Sequence, residues 1–229
     1  MTAAKRDVMI SKALSYLLRH GALKEKLTID ENGYVAVEEL LTNNRLKTHK
    51  TSLEDIHRVV ETNAKKRFNI KVVDGKEYIC AVQGHSIKTI APNEEALQRI
   101  KHLDDLPPCL IHGTNIKNCR QILESGAIKK MNRNHIHLSS GVTGRDHTVI
   151  SGMRTSSNIY IYLKLGENML ETLKIVKSLN GVFLTEEDIK LNMFEKVVIM
   201  ENKVKGDGTD LDSLLLLLVE KNIPYECIK

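Results

Sequence analysis

The residues best able to do chemistry in this 229-residue chain are arginines and histidines. The stretch SKALSYLLRHG, Ser11 to Gly21, ends on Arg19 and His20 side by side. Cations suit a helix C-terminus by about 0.3–1 kcal/mol, but a guanidinium next to an imidazole is also a pair of donors for an anion. Arg67 closes the run Lys65-Lys66-Arg67, a basic patch ahead of an alternating stretch. His112, Gly113 and Thr114 end the apolar run CLIHGT. Glycine there lets a ligand approach the backbone, with hydrogen-bonding groups on either side. RNHIHLS puts Arg133, His135, His137 and Ser139 at alternate positions, on one face of a strand. Gly152-Met153-Arg154 sets a further guanidinium before the run NIYIYL, again suited to a phosphate.

Donors of this kind suit the holding of a phosphate. His112, His135 and His137 are one imidazole set that could bind zinc. No carboxylate or thiolate stands near His135 and His137 in sequence, so no metal is expected. Cys80, Cys109, Cys119 and Cys227 are spread along the chain without a CxxC pair, which points to neither a zinc knuckle nor a disulfide framework. Net charge is +5, compatible with a polyanionic partner and far below that of histone-like binders. Aromatics make up 4% and tryptophan is absent, which disfavours stacking on many bases and favours recognition of phosphate.

The elements that must carry these groups fall into two halves. Ile10, Ala13, Leu14, Leu17 and Leu18 form a helical stripe, with Arg19 turned away from its centre and Gly21 placed for a left-handed stop. Asn32-Gly33 makes a turn before Val35 and Val37, which lead into a short helix. TSLEDIHRVVETN is a longer helix with Thr51 and Glu54 as its capping box and Leu53, Ile56, Val59 and Val60 as its stripe. Phe68, Ile70 and Val72 alternate up to Asp74-Gly75, a hairpin turn. Helices followed by a hairpin spell a winged-helix module over residues 1–90. The polar, proline-flanked stretch 91–108 reads as a linker. Residues 109–229 are strand-rich: CLIHGT, HIHLS, NIYIYLKL, GVFL and FEKVVIM, with helices from Ile116 to Ser125, in NMLETLKIVKSL and near Asp212 to Lys221. The class is α+β. The apolar run Leu214 to Val219 is too short to span a bilayer and reads as a buried helix. The N-terminus has no signal-like apolar core, so a cytosolic protein is expected, with the nucleus open to a chain of 25.9 kDa. No coiled-coil heptad appears, and a monomer is expected.

The motifs SKALSYLLRHG, Gly33-Tyr34, KKRFNI, QGHS at Gln83 to Ser86, LIHGT, RNHIHLS and GMR, in this order, resemble the tRNA 2′-phosphotransferases, fungal members above all. The likeness runs from Lys5 to about Val198. It implies a winged-helix lobe that engages an RNA 2′-phosphate and an ADP-ribosyltransferase-like lobe that holds NAD⁺, which is consumed. It implies removal of the splice-junction 2′-phosphate from ligated tRNA. The phosphate attacks the nicotinamide-bearing ribose carbon of NAD⁺, expelling nicotinamide and giving a 2′-phospho-ADP-ribosylated RNA. The ribose 2″-hydroxyl then attacks that phosphate, releasing 2′-OH RNA and ADP-ribose 1″,2″-cyclic phosphate. By matching motif, Arg19, His20, Arg67 and Arg133 are the implied catalytic residues. His112, Gly113, Thr114 and His137 are implied NAD⁺ contacts, with Ser139 and Arg154 as neighbours. The loop GVTGRDHTVI and the residues after Val198 match loosely and carry no role.

The physical chemistry agrees. A phosphate monoester is an anion at neutral pH, so it needs positioning rather than a base, and arginines can then stabilise the shifting charge. Two other classes fit less well. A DNA-binding regulator calls for a basic recognition helix, yet Glu54, Asp55 and Glu61 outnumber Arg58 in TSLEDIHRVVETN. An NAD⁺-consuming transferase acting on protein or DNA would leave Arg19 and Arg67 without a role.

Overall fold

The computed structural model describes residues 2–146, 149–203 and 209–229; His147 and Thr148 of the GVTGRDHTVI loop lie outside them. The chain is mixed α and β with several sheets and divides into two compact units. One comprises Met1–Leu97 with Asn132–Asn134, the other Gln98–Met131 with His135–Lys229.

In the first unit, α1 (Ala3–Tyr16) runs into a π-helical turn, Leu17–Gly21. Ile10, Leu14, Leu17 and Leu18 are fully buried, as the stripe requires. Gly21 does not take the expected left-handed conformation, and the chain continues right-handed at Ala22. The reason for glycine is steric. A Cβ there would lie 2.8 Å from Cζ of Tyr16, whose ring also carries the Arg45 guanidinium at 4.2 Å. Next come β1 (Tyr34–Ala36), α2 (Val37–Thr42), α3 (Asn44–Lys47) and α4 (Leu53–Glu61). The α4 capping box is Ser52 with Asp55, one residue beyond the expected Thr51 and Glu54. Asp55 wins because its carboxylate also takes Arg6 and Arg58. Ile56 and Val59 are buried, while Leu53, in the first turn, is exposed. β2 (Phe68–Val73) and β3 (Lys76–Ala81) pair across Asp74-Gly75, both with positive φ (50° and 76°), and the sheet order is β1-β3-β2. A single core, Ile10 through Ile90, joins helices and sheet.

The stretch 91–108 contains a strand, β4 (Leu97–Arg99), and a 3₁₀ turn at Leu103–Asp105. The second unit adds β5 (Ile111–Thr114), α5 (Ile116–Ser125), β6 (Ala127–Ile128), β7 (Ile136–Leu138), β8 (Ile159–Leu163), α6 (Glu167–Leu173), β9 (Val176–Ser178), β10 (Phe183–Thr185), β11 (Ile189–Lys190), β12 (Phe194–Met200), α7 (Thr209–Glu220) and β13 (Tyr225–Ile228). Strand orders are β13-β12-β8-β5, β4-β9-β10-β7 and β11-β6. α5 stops at Gly126 (φ 78°), as the sequence pattern requires. α6 is shorter than expected. Lys174 turns left-handed and Val176–Ser178 becomes a strand, because β-branched Val176 is drawn into pairing with Leu184. The leucine run of α7 is only half buried: Leu214 and Leu218 are enclosed while Leu216 stays 73% exposed. β13 runs parallel beside β12, a strand that the sequence pattern does not announce. Among the described residues no helix is long and apolar enough to cross a membrane.

Candidate active site

Arg19, His20, Arg67 and Arg133 all belong to the first unit. Arg19 and His20 occupy the π-helical turn, where one extra residue per turn changes the direction of the side chains that follow the stripe. Arg67 immediately precedes β2. Asn63 Oδ1 accepts from its main-chain N–H (3.2 Å) and from its Nη1 (3.3 Å), and Asn63 Nδ2 donates to Ser11 Oγ of α1.

Arg133 corrects the reading of RNHIHLS. The strand is only Ile136–Leu138, and Arg133 sits in the turn before it, so it does not share a strand face with His135 and His137. Asn134 makes the difference. Its main-chain N–H donates to His85 O (2.9 Å), and its Nδ2 donates to Ile87 O (2.9 Å) and Ile90 O (3.2 Å). These bonds tie residues 132–134 to the segment after the hairpin.

That segment, Val82 to Ile90, reaches the rest of the group as well. Val82 N–H donates to Arg67 O (3.0 Å), and Ser86 N–H donates to Arg19 O (2.9 Å). Ser86 Oγ lies 2.9 Å from His20 Nδ1. Gly84, at φ 89°, lies under Arg19; a Cβ there would come within 3.4 Å of Nε. QGHS stands out in the sequence only as a motif, and the signal it carries is its glycine.

Two Arg19 nitrogens, Nε and Nη2, are buried and find no hydrogen-bond partner among the described residues. Burial first, then the charges of Arg67 and Arg133, pull the Arg19 pKa down to about 10, so it stays charged at neutral pH. Burial lowers Arg67 as well. Burial, then Arg19 and Arg133, lower His20, which favours a neutral ring. Lys65 is lowered by burial and by Arg67, which adds a cation that the sequence pattern alone places in solvent. Like charges gathered this closely, with buried donors unmatched, are chemically suited to an anion.

In the second unit, His112 and Gly113 pair with Ile161 and Tyr160 of β8. His112 Nδ1 donates to the main-chain oxygen of His137 (3.1 Å), so these two residues do meet. Gly113 is required by packing, since a Cβ would lie 2.6 Å from Met153 Cβ. Thr114 is nearly buried, and its carbonyl accepts from Asn158 N–H. Ser139 is fully buried, and its hydroxyl donates to Gly141 O (2.7 Å) and Ser151 O (3.4 Å), which makes it a brace between loops. Gly152 (φ 119°) fits because a Cβ would strike Ser139. Arg154 is exposed. Among the described residues no group of three His, Cys, Asp or Glu could hold a metal; His135 instead faces Glu186 at 3.7 Å. A cavity of about 370 Å³, within the range of small-ligand sites, is lined by Leu106, Ser140, Ser151, Lys177, Asn180 and Phe183 among others.

The first unit thus gathers three arginines and a histidine, and the chain carries a second αβ unit beside it in sequence. Residues 5–187 match the profile of the "RNA 2'-phosphotransferase, Tpt1 / KptA family", and the chain belongs to that family. Among its relatives, the tRNA 2'-phosphotransferase of Saccharomyces cerevisiae is 52% identical over 226 residues, 98% of this chain and 96% of that one. The tRNA 2'-phosphotransferase 1 of Danio rerio is 40% identical over 80% of each chain. Its namesake in Homo sapiens is 40% identical over 79% of this chain and 69% of its own.

Proposed function

We propose that this chain is an NAD⁺-dependent tRNA 2′-phosphotransferase. It moves the splice-junction 2′-phosphate of ligated tRNA onto NAD⁺, giving 2′-OH RNA, ADP-ribose 1″,2″-cyclic phosphate and nicotinamide. The observation that carries the phosphate half is Arg19, with two buried donors unmatched and Arg67 and Arg133 acting on its charge. The relatives named tRNA 2'-phosphotransferase support the RNA substrate. The helices and hairpin of the first unit support a winged-helix reading of residues 1–90. An ADP-ribosyltransferase-like reading of 109–229, after a 91–108 linker, goes with it.

The residues present fit their tasks in different degrees. Arg19, Arg67 and Arg133 hold the 2′-phosphate, which is already anionic, so the first step requires orientation and no base. The same donors then stabilise charge as it shifts among the phosphorus oxygens. His20 donates to that phosphate or moves its proton. NAD⁺ supplies an electrophilic ribose carbon whose leaving group departs neutral. His112, Thr114, His137 and Arg154 suit its sugar hydroxyls and phosphates, Gly113 shapes the strand beside them, and the 370 Å³ cavity of the same unit has room for part of a nucleotide. Ser139 supports this wall from behind, because its hydroxyl is already engaged. No metal is assigned a role.

The test is an RNA oligonucleotide with one radiolabelled internal 2′-phosphate, incubated with and without NAD⁺. Label appearing as ADP-ribose cyclic phosphate only with NAD⁺ is expected. Label leaving as free phosphate without NAD⁺ would make the protein a plain phosphatase and end this reading.

A further inference from the structure

Resting on that reading, we propose that Ser86 is the positioning residue of His20. Its hydroxyl donates to Nδ1 and so keeps the ring proton on Nε2, the nitrogen left to donate to a 2′-phosphate.

Ser86 is held first by its backbone. Its main-chain N–H donates to Arg19 O at 2.9 Å, which fixes the serine against the π-helical turn that carries His20. From there its Oγ reaches His20 Nδ1 at 2.9 Å. One residue of the segment after the hairpin therefore grips both Arg19 and His20, the first through its backbone and the second through its side chain.

A neutral imidazole has one N–H and one lone pair, and the partner of one nitrogen decides the role of the other. A serine hydroxyl can donate or accept, so the surroundings choose. If Nδ1–H pointed at Ser86 Oγ, Nε2 would present a lone pair to an anion among arginines, a repulsive arrangement. If the hydroxyl donates instead, Nε2 presents a hydrogen. The choice matters for a neutral ring. Burial and the charges of Arg19 and Arg133 oppose its protonation. An imidazolium would donate from both nitrogens, with Ser86 Oγ accepting at Nδ1, and would leave no tautomer to select.

The experiment pairs nitrogen-15 NMR of the His20 ring in the free protein at neutral pH with steady-state kinetics of Ser86→Ala and Ser86→Thr on the 2′-phosphorylated oligonucleotide. The wild-type ring is expected to carry its proton on Nε2. Ser86→Ala should mix the tautomers and lower kcat about five- to tenfold, the worth of a neutral hydrogen bond. KM for the RNA should stay within about twofold, since the arginines supply most of the charge-assisted binding. Threonine, which keeps the hydroxyl, should restore both the tautomer and kcat. A wild-type ring protonated on Nδ1, or an unchanged kcat in Ser86→Ala, would overturn the proposal. Should Ser86→Ala not fold, the wild-type tautomer still decides. Wild-type protein that releases no 2′-phosphate with NAD⁺ would instead sink the phosphotransferase reading, and the ring tautomer would still decide the role of Ser86 by itself.

Discussion

Arg19 sits where a guanidinium is expensive to keep. Two of its nitrogens are buried without partners among the described residues, and its neighbours in charge are two more arginines. Such a side chain is best explained by an anion that meets its planar fork. Arg19→Lys keeps the charge and loses the fork, so turnover of 2′-phosphorylated RNA should fall on the order of ten- to a hundredfold, the loss of one charge-assisted bond or more. Single-turnover label transfer measures this, and activity within twofold of wild type would mean that Arg19 acts only as a point charge. Much at this scale is legible in the sequence. The stripe from Ile10 to Leu18 turns Arg19 away from the core, and KKR marks Arg67. Arg133 is legible as a residue and not as a place. Strict alternation puts it on a strand face, and only the three bonds of Asn134 reveal the turn that takes it elsewhere. Ser139 misleads in the opposite sense, because a hydroxyl at an alternate strand position says nothing about the carbonyls awaiting it.

Elements, more than single residues, decide where these groups point. In the π-helical turn at Leu17–Gly21, Tyr16 lies across Gly21, a contact that helical periodicity does not report. Gly21→Ala forces a methyl into that ring. It should cost about 1–3 kcal/mol of stability, as overpacking does, and should also reduce turnover because Arg19 and His20 share the turn. Urea denaturation and the RNA assay together check both parts. Asn134→Ala removes two side-chain bonds to Ile87 and Ile90 carbonyls and loosens the turn that holds Arg133. It should lower turnover about tenfold or more, at the scale of one charge-assisted contact, with a thermal midpoint close to wild type. A full loss of folding would show instead that Asn134 is primarily a structural staple. The hairpin at Asp74-Gly75 and the stop at Gly126 are legible because local turn chemistry settles them. α6 and β9 are not, because Leu173 and Val176 lie in one apolar run whose division is settled by the strand β10 beside it.

At the scale of the whole molecule, the first unit is pinned by charge as well as by its core. Asp55 caps α4 and takes Arg6 and Arg58, and Asp7 pairs with the same Arg58. The hydrogen bond from Arg6 holds Asp55 well below the usual carboxylate range, and the bond from Arg58 lowers Asp7. For a carboxylate lowered by folding, the added stability is present above its unfolded value of about 4 and is lost as pH falls through the folded one. The first unit should therefore lose this contribution progressively as pH falls from about 4 towards the folded values. Asp55→Asn should cost about 1.5–3 kcal/mol at neutral pH and flatten the loss of stability in acid, as measured by circular dichroism against pH. An unchanged acid profile would remove Asp55 from that role. Charge composition, +5 in all, gives no hint of this network, since the pairs cancel in any sum.

The return of residues 132–134 to the first unit has a consequence for inheritance. A gene fragment ending at Leu97 encodes Arg19, His20 and Arg67 but leaves Arg133 behind, so the proposed anion grip is not a portable cassette. Yet the three acceptors that receive Asn134 are main-chain carbonyls, of His85, Ile87 and Ile90. Any parent sequence that folds this way supplies them. A chimera joined at that seam would thus mate three groups from one ancestor with a fourth from another and still close the set, provided the incoming half brings its asparagine.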